Sequence, residues 1–346
     1  MTKLYEEITR QYGNLDKTVT YFESQRAILH SFFQKNSGRS LLFLGSGSSY
    51  NLARSAELIA RNRYGLQAMS VPAGDAMVNF ETAKKAFVNS IAVAITRSGS
   101  TTEILKTAGL LQRELNVPVI SITCVEQSEL NRTAELSLSL PWAFDESVCQ
   151  TGTVSILYSA AALLLGAFAG DDSLYEEFRK AAASGDAFVH TYESDLQKIA
   201  GYPWSKAVVL ADGEISGVSS EAALAFKEIS RTDSNFYHVL DVRHGPMVMI
   251  GGDTLVLVAL KPDNKDYQLN LVEDLVRKGA KVVVCTDDSY AKIPDVLLHA
   301  RHKSMGTIAA GLPFLNLAQY IAYYRALNKG VDPANPEGLD AWIKLA

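Results

Sequence analysis

Two loops rich in serine and threonine carry the side chains that could bind a phosphate group. One spans residues 45–49, and the other spans residues 96–102, with five hydroxyls and the guanidinium of Arg97. Each loop follows a short apolar run and precedes a helical pattern, and the amides at a helix N-terminus attract anions. Hydroxyls donate to phosphate oxygens, and arginine can bind two of them at once. The loops therefore predict a phosphate site, with helix capping as the alternative role of their hydroxyls.

The same loops do not match nucleotide sites. Gly45-x-Gly47 lacks the third glycine of the dinucleotide pattern because position 50 is tyrosine, and no acidic residue ends the next predicted strand. Neither loop contains the Gly-Lys-Ser/Thr of a nucleotide P-loop. We therefore expect no nucleotide cofactor.

A glutamate and a histidine of the second half are candidates for acid–base chemistry. Glu228 lies on a predicted helix, residues 219–231, with apolar residues one turn before it, where partial burial would suit a general base. His244 precedes Gly245-Pro246, so we expect it at a strand-to-helix turn, where it could polarise a carbonyl or transfer a proton. The alternatives are a solvent-facing glutamate and an ordinary loop histidine.

The remaining titratable candidates are predicted to be structural. His299 and His302 are spaced for one face of a helix, but no third ligand completes a metal site, and we expect no metal. Cys149 is predicted to be a small packing residue rather than a nucleophile.

The composition is that of a globular protein without an affinity for polyanions. Of the 346 residues, 47% are hydrophobic and 21% charged, and the net charge of −5 argues against nucleic-acid binding. Three cysteines are too few for a disulfide framework. The first residues lack a signal-peptide core, and the most apolar stretch, residues 154–170, is shorter than the about 20 residues of a membrane span. We expect a cytoplasmic protein in which residues 154–170 form a buried helix.

Strands and helices alternate along the chain, which predicts parallel sheets covered by helices. The predicted strands are residues 41–44, 68–71, 91–95, 117–122, 136–140, 207–211, 254–260 and 281–285. The predicted helices are two within residues 3–35, separated at Gly13-Asn14, then 50–64, 103–115, 154–170, long helices within 173–200, and 219–231, 269–278 and 312–329. The strand–loop–helix order repeats after roughly 165 residues, which indicates a duplicated domain.

The predicted fold class is α/β, with two tandem domains that are each a parallel sheet flanked by helices in a flavodoxin-like three-layer sandwich. The predicted boundaries are N-terminal helices 1–38, first domain 39–170, linker helices 171–203, second domain 204–330 and tail 331–346. Ligands of open parallel sheets bind beyond the carboxyl ends of the strands. Only the first half opens there into Ser/Thr loops, so we expect it to hold the site.

Four segments, in this order, resemble the double sugar-isomerase (SIS) family. They are residues 44–51 (LGSGSSYN), 96–103 (TRSGSTTE), 222–230 (AALAFKEIS) and 242–246 (VRHGP). The chain is similar, over nearly its whole length, to the isomerase half of glucosamine-6-phosphate synthase and to stand-alone phosphosugar isomerases and deaminases. The resemblance implies two tandem SIS domains.

The resemblance also implies roles for residues of both halves. The residues it places at the sugar phosphate group are Gly47, Ser48, Ser49, Thr96, Arg97, Ser98 and Thr101. It places Cys149 and Thr151 near the sugar itself. It implies that Glu228 shuttles a proton and that His244 reaches the sugar in a neighbouring subunit, hence a homodimer or larger oligomer. A small sugar phosphate is the expected partner, without cofactor, nucleic acid or membrane.

The chain departs from the family at two lysines. Ala341 stands at the position of a lysine of the C-terminal tail, with Lys344 nearby, and Ala225 replaces a lysine on the helix of Glu228. Thr2 follows Met1 where the synthase has a cysteine nucleophile, so glutamine is not the expected nitrogen source.

The expected function is that of a phosphosugar isomerase or deaminase. It would act on a hexose or amino-sugar 6-phosphate by proton transfer between C1 and C2. Two alternatives stay open, a fructosamine-6-phosphate deglycase and a non-enzymatic phosphosugar-binding regulator, because a fold does not determine a function.

Overall fold

Two five-stranded parallel sheets organise the chain, which confirms the predicted α/β fold class. The computed structural model of the protein describes residues 2–340 and residue 345. The first sheet unit is built mainly from Arg10–Glu146 and Gln150–Arg179. The second sheet unit is built from the described residues up to Thr9, from Ser147–Cys149 and from Lys180–Leu339.

Ten strands and twelve α-helices make up residues 2–340. The strands are β1 (Ser40–Gly45), β2 (Ala68–Pro72), β3 (Ser90–Thr96), β4 (Val119–Thr123), β5 (Leu136–Ser139), β6 (Lys206–Leu210), β7 (Asp233–Tyr237), β8 (Thr254–Ala259), β9 (Lys281–Asp287) and β10 (Leu298–His302). The helices are α1 (Lys3–Thr9), α2 (Gln11–Lys35), α3 (Ser48–Tyr64), α4 (Ala73–Val78), α5 (Phe80–Phe87), α6 (Thr102–Leu115), α7 (Glu129–Thr133), α8 (Gly152–Ala169), α9 (Asp172–Gly201), α10 (Ser216–Ser230), α11 (Lys265–Arg277) and α12 (Gly311–Lys329).

The first sheet has the strand order β2-β1-β3-β4-β5 and is covered by helices on both faces. Alternate residues of its strands, among them Leu42, Leu44, Ala92 and Ala94, form one core with α4, α5 and α6. The residues between them face the opposite side, where α3 and α8 contact the strands. Burial on both faces explains why these strands are continuous apolar runs in the sequence.

Helix α8 confirms the prediction of a buried helix at residues 154–170. By length and composition it could cross a membrane, but 83% of it is buried inside the protein. It packs against α2 and α3, and the buried side chains run without interruption from Gly152 to Ala167. The apolar side chains of α8 therefore form part of the core of the first sheet unit.

The second sheet has the order β10-β9-β8-β6-β7, which is the same topology as the first. One core lies between the sheet and α11 and includes Val208, Val256, Leu271 and Val284. Helices α10 and α12 pack against each other, and α10 packs on β6. The repeat that the sequence indicates is thus a repeat of sheet topology.

Two strands of the second sheet lie outside the sequence prediction. Both β7 and β10 are edge strands with partly exposed side chains, so neither shows the apolar run of a central strand. The prediction that His299 and His302 share a helical face was wrong, because both lie on β10, where a spacing of three puts them on opposite faces. The Nε2 atom of His299 is 2.8 Å from Oγ1 of Thr286 on the neighbouring strand. Burial, helped by nearby Arg301, lowers the pKa of His299.

The division into helices differs from the prediction in the N-terminal segment and at α9. The first helices are separated at Arg10 rather than at Gly13-Asn14, and α2 continues through Gly13. Gly13 is exposed, and a glycine in a helix interior costs only roughly 0.5–1 kcal/mol, which the packing of α2 on α8 outweighs. The long helices predicted within residues 173–200 are one helix, α9.

Candidate active site

The carboxyl ends of β1 and β3 meet at the point where the first sheet reverses its strand order. These strands are neighbours, and Leu44 of β1 pairs with Ala94 of β3. From this pair the chain builds the sheet outward in both directions, so the connections leave on opposite faces and a crevice opens between them. The loops at residues 45–49 and 96–102 both begin at this crevice.

The loop after β1 is pressed against the first turn of α3. A Cβ atom at Gly45 would lie 2.3 Å from the carbonyl carbon of Ser49, so only glycine fits there. Gly47 has a positive φ of 55° and precedes the buried residues Ser48 and Ser49. The Ser49 N–H donates to the carbonyl of Ser46 at 3.2 Å. Gly47, Ser48 and Ser49 therefore form the start of a 17-residue helix at the crevice.

The loop after β3 is shaped by its own hydroxyls. Oγ1 of Thr96 accepts a hydrogen bond from the Gly99 N–H at 3.4 Å. Oγ of Ser98 accepts from the N–H and the hydroxyl of Ser100, at 3.2 and 3.1 Å. Because these oxygens act as acceptors, the hydroxyl hydrogens of Thr96 and Ser98 are left to donate to a ligand. A Cβ atom at Gly99 would lie 2.4 Å from Oγ of Ser128, so the loop is also packed against the start of α7.

The helices that begin at the crevice have no side-chain cap among residues 2–340. The N-cap residue of α3 is Gly47, and Thr101, the N-cap residue of α6, makes no capping hydrogen bond. Ser128, by contrast, accepts from the Asn131 N–H at 3.2 Å and caps α7. The capping role is thus used at α7, whereas α3 and α6 keep first-turn N–H groups that favour an anion.

Arg97 is buried beneath the second loop. It is 3% exposed, and its Nη1 donates to the carbonyl oxygen of Asp145 at 3.1 Å. Its guanidinium also lies over the ring of Phe144, 5.9 Å from the centroid. The Cys124 N–H donates to the Arg97 carbonyl at 3.0 Å. The guanidinium therefore supports the protein at residues 144–145.

The two residues predicted to contact the sugar are both buried. Thr151, at the N-cap position of α8, is 0% exposed, and its N–H donates to Oδ2 of Asp145 at 2.8 Å. Cys149 forms no disulfide, is 1% exposed and lies in the part of the chain that belongs to the second sheet unit. Between them, Gln150 has a buried side-chain oxygen without a hydrogen-bond partner in the described residues.

Glu228 is partly buried in the last turn of α10. Ala225, one turn earlier, is 5% exposed, and Phe226 is fully buried. Lys329 of α12 holds the end of this helix, because its Nζ donates to the carbonyls of Ser230 and Arg231 at 3.0 and 3.2 Å. Burial lowers the pKa of Lys329. The carboxylate thus stands on a helix end that a lysine of a neighbouring helix fixes.

His244 is exposed between two short 3-10 helices, Asp241–Arg243 and Pro246–Met249. The prediction of a strand-to-helix turn was therefore wrong, although proline does open the second short helix. The His244 N–H donates to the Asp241 carbonyl at 2.9 Å. Four and five positions later in the chain, Val248 is 81% exposed and Met249 is 65% exposed.

The C-terminal tail is described only in part. Ala341 and Lys344, the tail positions singled out in the sequence, lie outside the described residues. Leu345 is described, and its N–H donates to Oγ1 of Thr102 at 3.1 Å. Leu345 is therefore hydrogen-bonded to the first turn of α6.

An ion pair occupies the corresponding crevice of the second sheet. Nζ of Lys261, which follows β8, lies 2.9 Å from Oε2 of Glu214, which follows β6. Oδ1 of Asp212 accepts from the Val239 N–H at 3.2 Å and is 3.0 Å from Nδ1 of His238. Polar groups that pair within the chain thus stand where the first sheet has its Ser/Thr loops. Among the described residues, no group of three or more His, Cys, Asp or Glu could hold a metal ion.

Asp145 is the residue of this region that the sequence did not reveal. Its contacts to arginines come from residues up to 135 positions away, which the local sequence does not indicate. A signal was present in the acidic residue that precedes Thr151 and Thr153 by six and eight positions, near the start of a helix.

Comparison with known proteins identifies the segment that carries the two loops. Residues 36–165 match the family model of the SIS domain. This match confirms, for residues 36–165, the resemblance to the SIS family that was recognised from the sequence.

Relatives of known name cover most of the chain. A glutamine–fructose-6-phosphate aminotransferase of Pyrobaculum aerophilum is 26% identical over 312 residues, 87% of this chain and 50% of the relative. A D-galactosamine-6-phosphate deaminase of a Shewanella species is 25% identical over 260 residues, 72% of this chain and 64% of the relative. The chain spans about half the length of the aminotransferases that it matches.

Solved structures share the fold over the full chain. A glucosamine-6-phosphate deaminase from Thermotoga maritima superposes with a TM-score of 0.81 at 25% identity, covering 99% of this chain and 100% of the other. A tagatose-6-phosphate ketose/aldose isomerase from Escherichia coli has a TM-score of 0.86 at 21% identity, covering 100% and 97%.

Proposed function

We propose that this protein is a phosphosugar isomerase or deaminase that moves a proton between C1 and C2 of a hexose or amino-sugar 6-phosphate. The observation that carries the proposal is the pair of Ser/Thr loops at the ends of β1 and β3. Similarity to two amino-sugar-phosphate deaminases and to aminotransferases of fructose 6-phosphate supports the same substrate class.

The phosphate group is the part of the substrate that these loops recognise. The donors are the hydroxyls of Ser98, Thr96 and Thr101 and the first N–H groups of α3 and α6. A hydrogen bond to a charged group contributes about 1.5–3 kcal/mol. Several such bonds together favour a phosphorylated sugar over the free sugar. The donors of one loop alone would give a smaller preference.

Glu228 is the base of the proposed proton transfer. It takes the hydrogen of C2 as a proton while the electron pair forms a C1–C2 double bond and the C1 oxygen takes a proton from solvent. The protonated carboxyl then delivers its proton to C1, and the C2 hydroxyl returns a proton to solvent as its oxygen becomes a carbonyl. In an amino sugar the same shift gives an imine at C2, which water hydrolyses to a ketose phosphate and ammonia. A partly buried carboxylate is suited to this work.

His244 is proposed to act on the sugar bound by a neighbouring subunit, so we propose a homodimer or a larger oligomer. The histidine is exposed, and Leu240, Val248 and Met249 around it are exposed apolar residues. Contiguous exposed apolar patches often mark surfaces of protein–protein contact. The interface would place a group that hydrogen-bonds the sugar oxygens at each site.

A cytoplasmic location is part of the proposal. The three cysteines are buried and form no disulfide, as suits a reducing compartment. The relatives named above are enzymes of sugar-phosphate metabolism.

A panel of sugar phosphates tests the proposed function. Hexose, 2-amino-2-deoxyhexose and fructosamine 6-phosphates are incubated with the protein, and ammonia release and aldose–ketose exchange are measured beside their unphosphorylated forms. Turnover of at least one 6-phosphate and none of its free sugar is the expected result. Release of an amino acid from the fructosamine compound alone would assign a deglycase instead. Tight binding of a sugar phosphate without any turnover would assign a binding regulator.

A further inference from the structure

We propose that Asp145 is a positioning residue that joins the phosphate-binding loop after β3 to the start of α8, so that both move as one unit around a bound sugar phosphate. The inference rests on the function proposed above and adds a residue to its site. It does not make Asp145 a ligand of the substrate.

The carboxylate of Asp145 caps α8 from inside the protein. It is 1% exposed, and its Oδ2 accepts from the N–H groups of Thr151 and Thr153 at 2.8 and 2.9 Å. Its own N–H donates to Oγ1 of Thr153 at 2.9 Å. These bonds satisfy first-turn amides of a helix whose N-cap side chain makes no capping bond in the described part of the chain. The position of Thr151 is therefore determined by Asp145.

The main chain of Asp145 is hydrogen-bonded to a residue of the loop after β3. Its carbonyl accepts from Nη1 of the buried Arg97 at 3.1 Å. On the side chain, Oδ1 lies 3.2 Å from Nη2 of Arg10, which also donates to the Phe144 carbonyl at 2.7 Å. Arg97 belongs to the predicted phosphate site and Thr151 to the predicted sugar contacts, so one residue connects the two groups that must be in register for one ligand.

The first sheet unit contains a comparable carboxylate, Asp171, which contacts neither the loop after β3 nor the start of α8. Asp171 caps α9, because its Oδ1 accepts from the N–H groups of Ser173 and Leu174 at 2.9 and 3.4 Å. It also pairs with an arginine, since its Oδ2 is 2.8 Å from Nε of Arg63. Both aspartates thus cap a helix and bind an arginine, and only Asp145 contacts the candidate site.

Amide hydrogen exchange tests the connection without a ligand. An asparagine at position 145 keeps the size of the side chain but loses the charge that faces two N–H donors. We expect the Thr151 and Thr153 amides and the amides of residues 97–101 to exchange about tenfold faster in Asp145→Asn. Asp171→Asn is expected to change exchange only at the start of α9. Unchanged exchange at residues 97–101 in folded Asp145→Asn would overturn the proposal.

Ligand affinity tests the consequence at the site. Below the melting temperature of each variant, we expect Asp145→Asn to bind the best hexose 6-phosphate of the panel about tenfold more weakly and Asp171→Asn to bind it like wild type. Combining Asp145→Asn with Arg97→Ala should cost less than the product of the two single effects, because both disturb one connection. An equal loss of affinity in Asp171→Asn would mean that Asp145 contributes only to general stability. Effects of Asp145→Asn and Arg97→Ala that multiply would mean the same.

The two proposals fail in different ways. If the wild type binds no sugar phosphate, the proposed function is wrong and the affinity measurement does not apply. The exchange measurement then decides alone whether Asp145 couples the two loops.

Discussion

A Cβ atom on Gly45 would lie 2.3 Å from the carbonyl carbon and oxygen of Ser49, which is closer than real atoms approach. The end of β1 and the first turn of α3 are thus in direct backbone contact. Ser49, a predicted phosphate ligand, can occupy its position because Gly45, four residues earlier, has no side chain.

Gly45→Ala is therefore expected to displace the start of α3. Overpacking of this kind destabilises by about 1–3 kcal/mol, and here the loss should come with weaker sugar-phosphate binding. Chemical denaturation and titration calorimetry measure the two effects. Gly13→Ala is the control, because a Cβ atom there meets nothing within 4 Å and should stabilise α2 by about 0.5–1 kcal/mol. A Gly45→Ala variant with wild-type stability would contradict the close contact.

Ser98→Ala tests the second loop. Removing one donor to a phosphate should weaken binding of a sugar 6-phosphate by about ten- to a hundredfold. Binding of the unphosphorylated sugar should hardly change. Thr20→Ala, which removes an exposed hydroxyl on α2, is the control and should leave affinity unaltered. Equal calorimetric affinity of the wild type for a sugar and its 6-phosphate would refute phosphate recognition.

The pH dependence of stability tests the polar network at the start of α9. Burial by itself would raise the pKa of Asp171, but hydrogen bonds from Ser173, Arg63 and Tyr64 outweigh it and lower the pKa to about 2. A lowered pKa in the folded protein adds stability above the ordinary aspartate range, and this is lost as the pH falls from about 4 toward 2. Asp171→Asn should therefore lose less of its stability in that interval than wild type does. Parallel curves of melting temperature against pH would show that the network has no such effect.

Mixed oligomers test whether His244 serves a neighbouring subunit. Glu228→Gln and His244→Ala are each expected to be inactive. In a dimer whose sites take a glutamate from one subunit and a histidine from the other, each hybrid keeps one intact site. Random reassociation should thus restore about a quarter of the wild-type sites. Absence of recovery in hybrids confirmed by native mass spectrometry would mean that each subunit uses its own histidine.

The sequence predicted the sheet centres better than the sheet edges. Strands such as β1 and β3 are buried on both faces, so their composition alone indicates them. The edge strand β7 reads Asp-Ser-Asn-Phe-Tyr and has no such pattern. The edge strand β10 was missed for the same reason. Its histidines were therefore assigned to a helix, because a spacing of three residues does not by itself distinguish a helix from a strand.

The candidate site was predictable where it follows strand ends. The loops after β1 and β3 could be located because hydroxyl-rich segments directly follow apolar runs. The connecting role of Asp145 could not, since it depends on Arg10 and Arg97, which only the fold brings close to it. The burial of Arg97 could not be predicted either, because its guanidinium donates a hydrogen bond to the carbonyl of Asp145, 48 residues away in the sequence.

The account depends most on proton transfer by Glu228, and solvent deuterium exchange measures that step directly. In D2O the wild type should incorporate deuterium at C1 or C2 of its sugar phosphate. Glu228→Gln keeps the shape of the side chain but cannot accept the proton, so exchange and turnover should both fall by about 10²-fold or more while ligand affinity stays near wild type. Glu273→Gln, an exposed carboxylate on α11, should exchange at the wild-type rate. Undiminished exchange in Glu228→Gln would contradict the proposed mechanism.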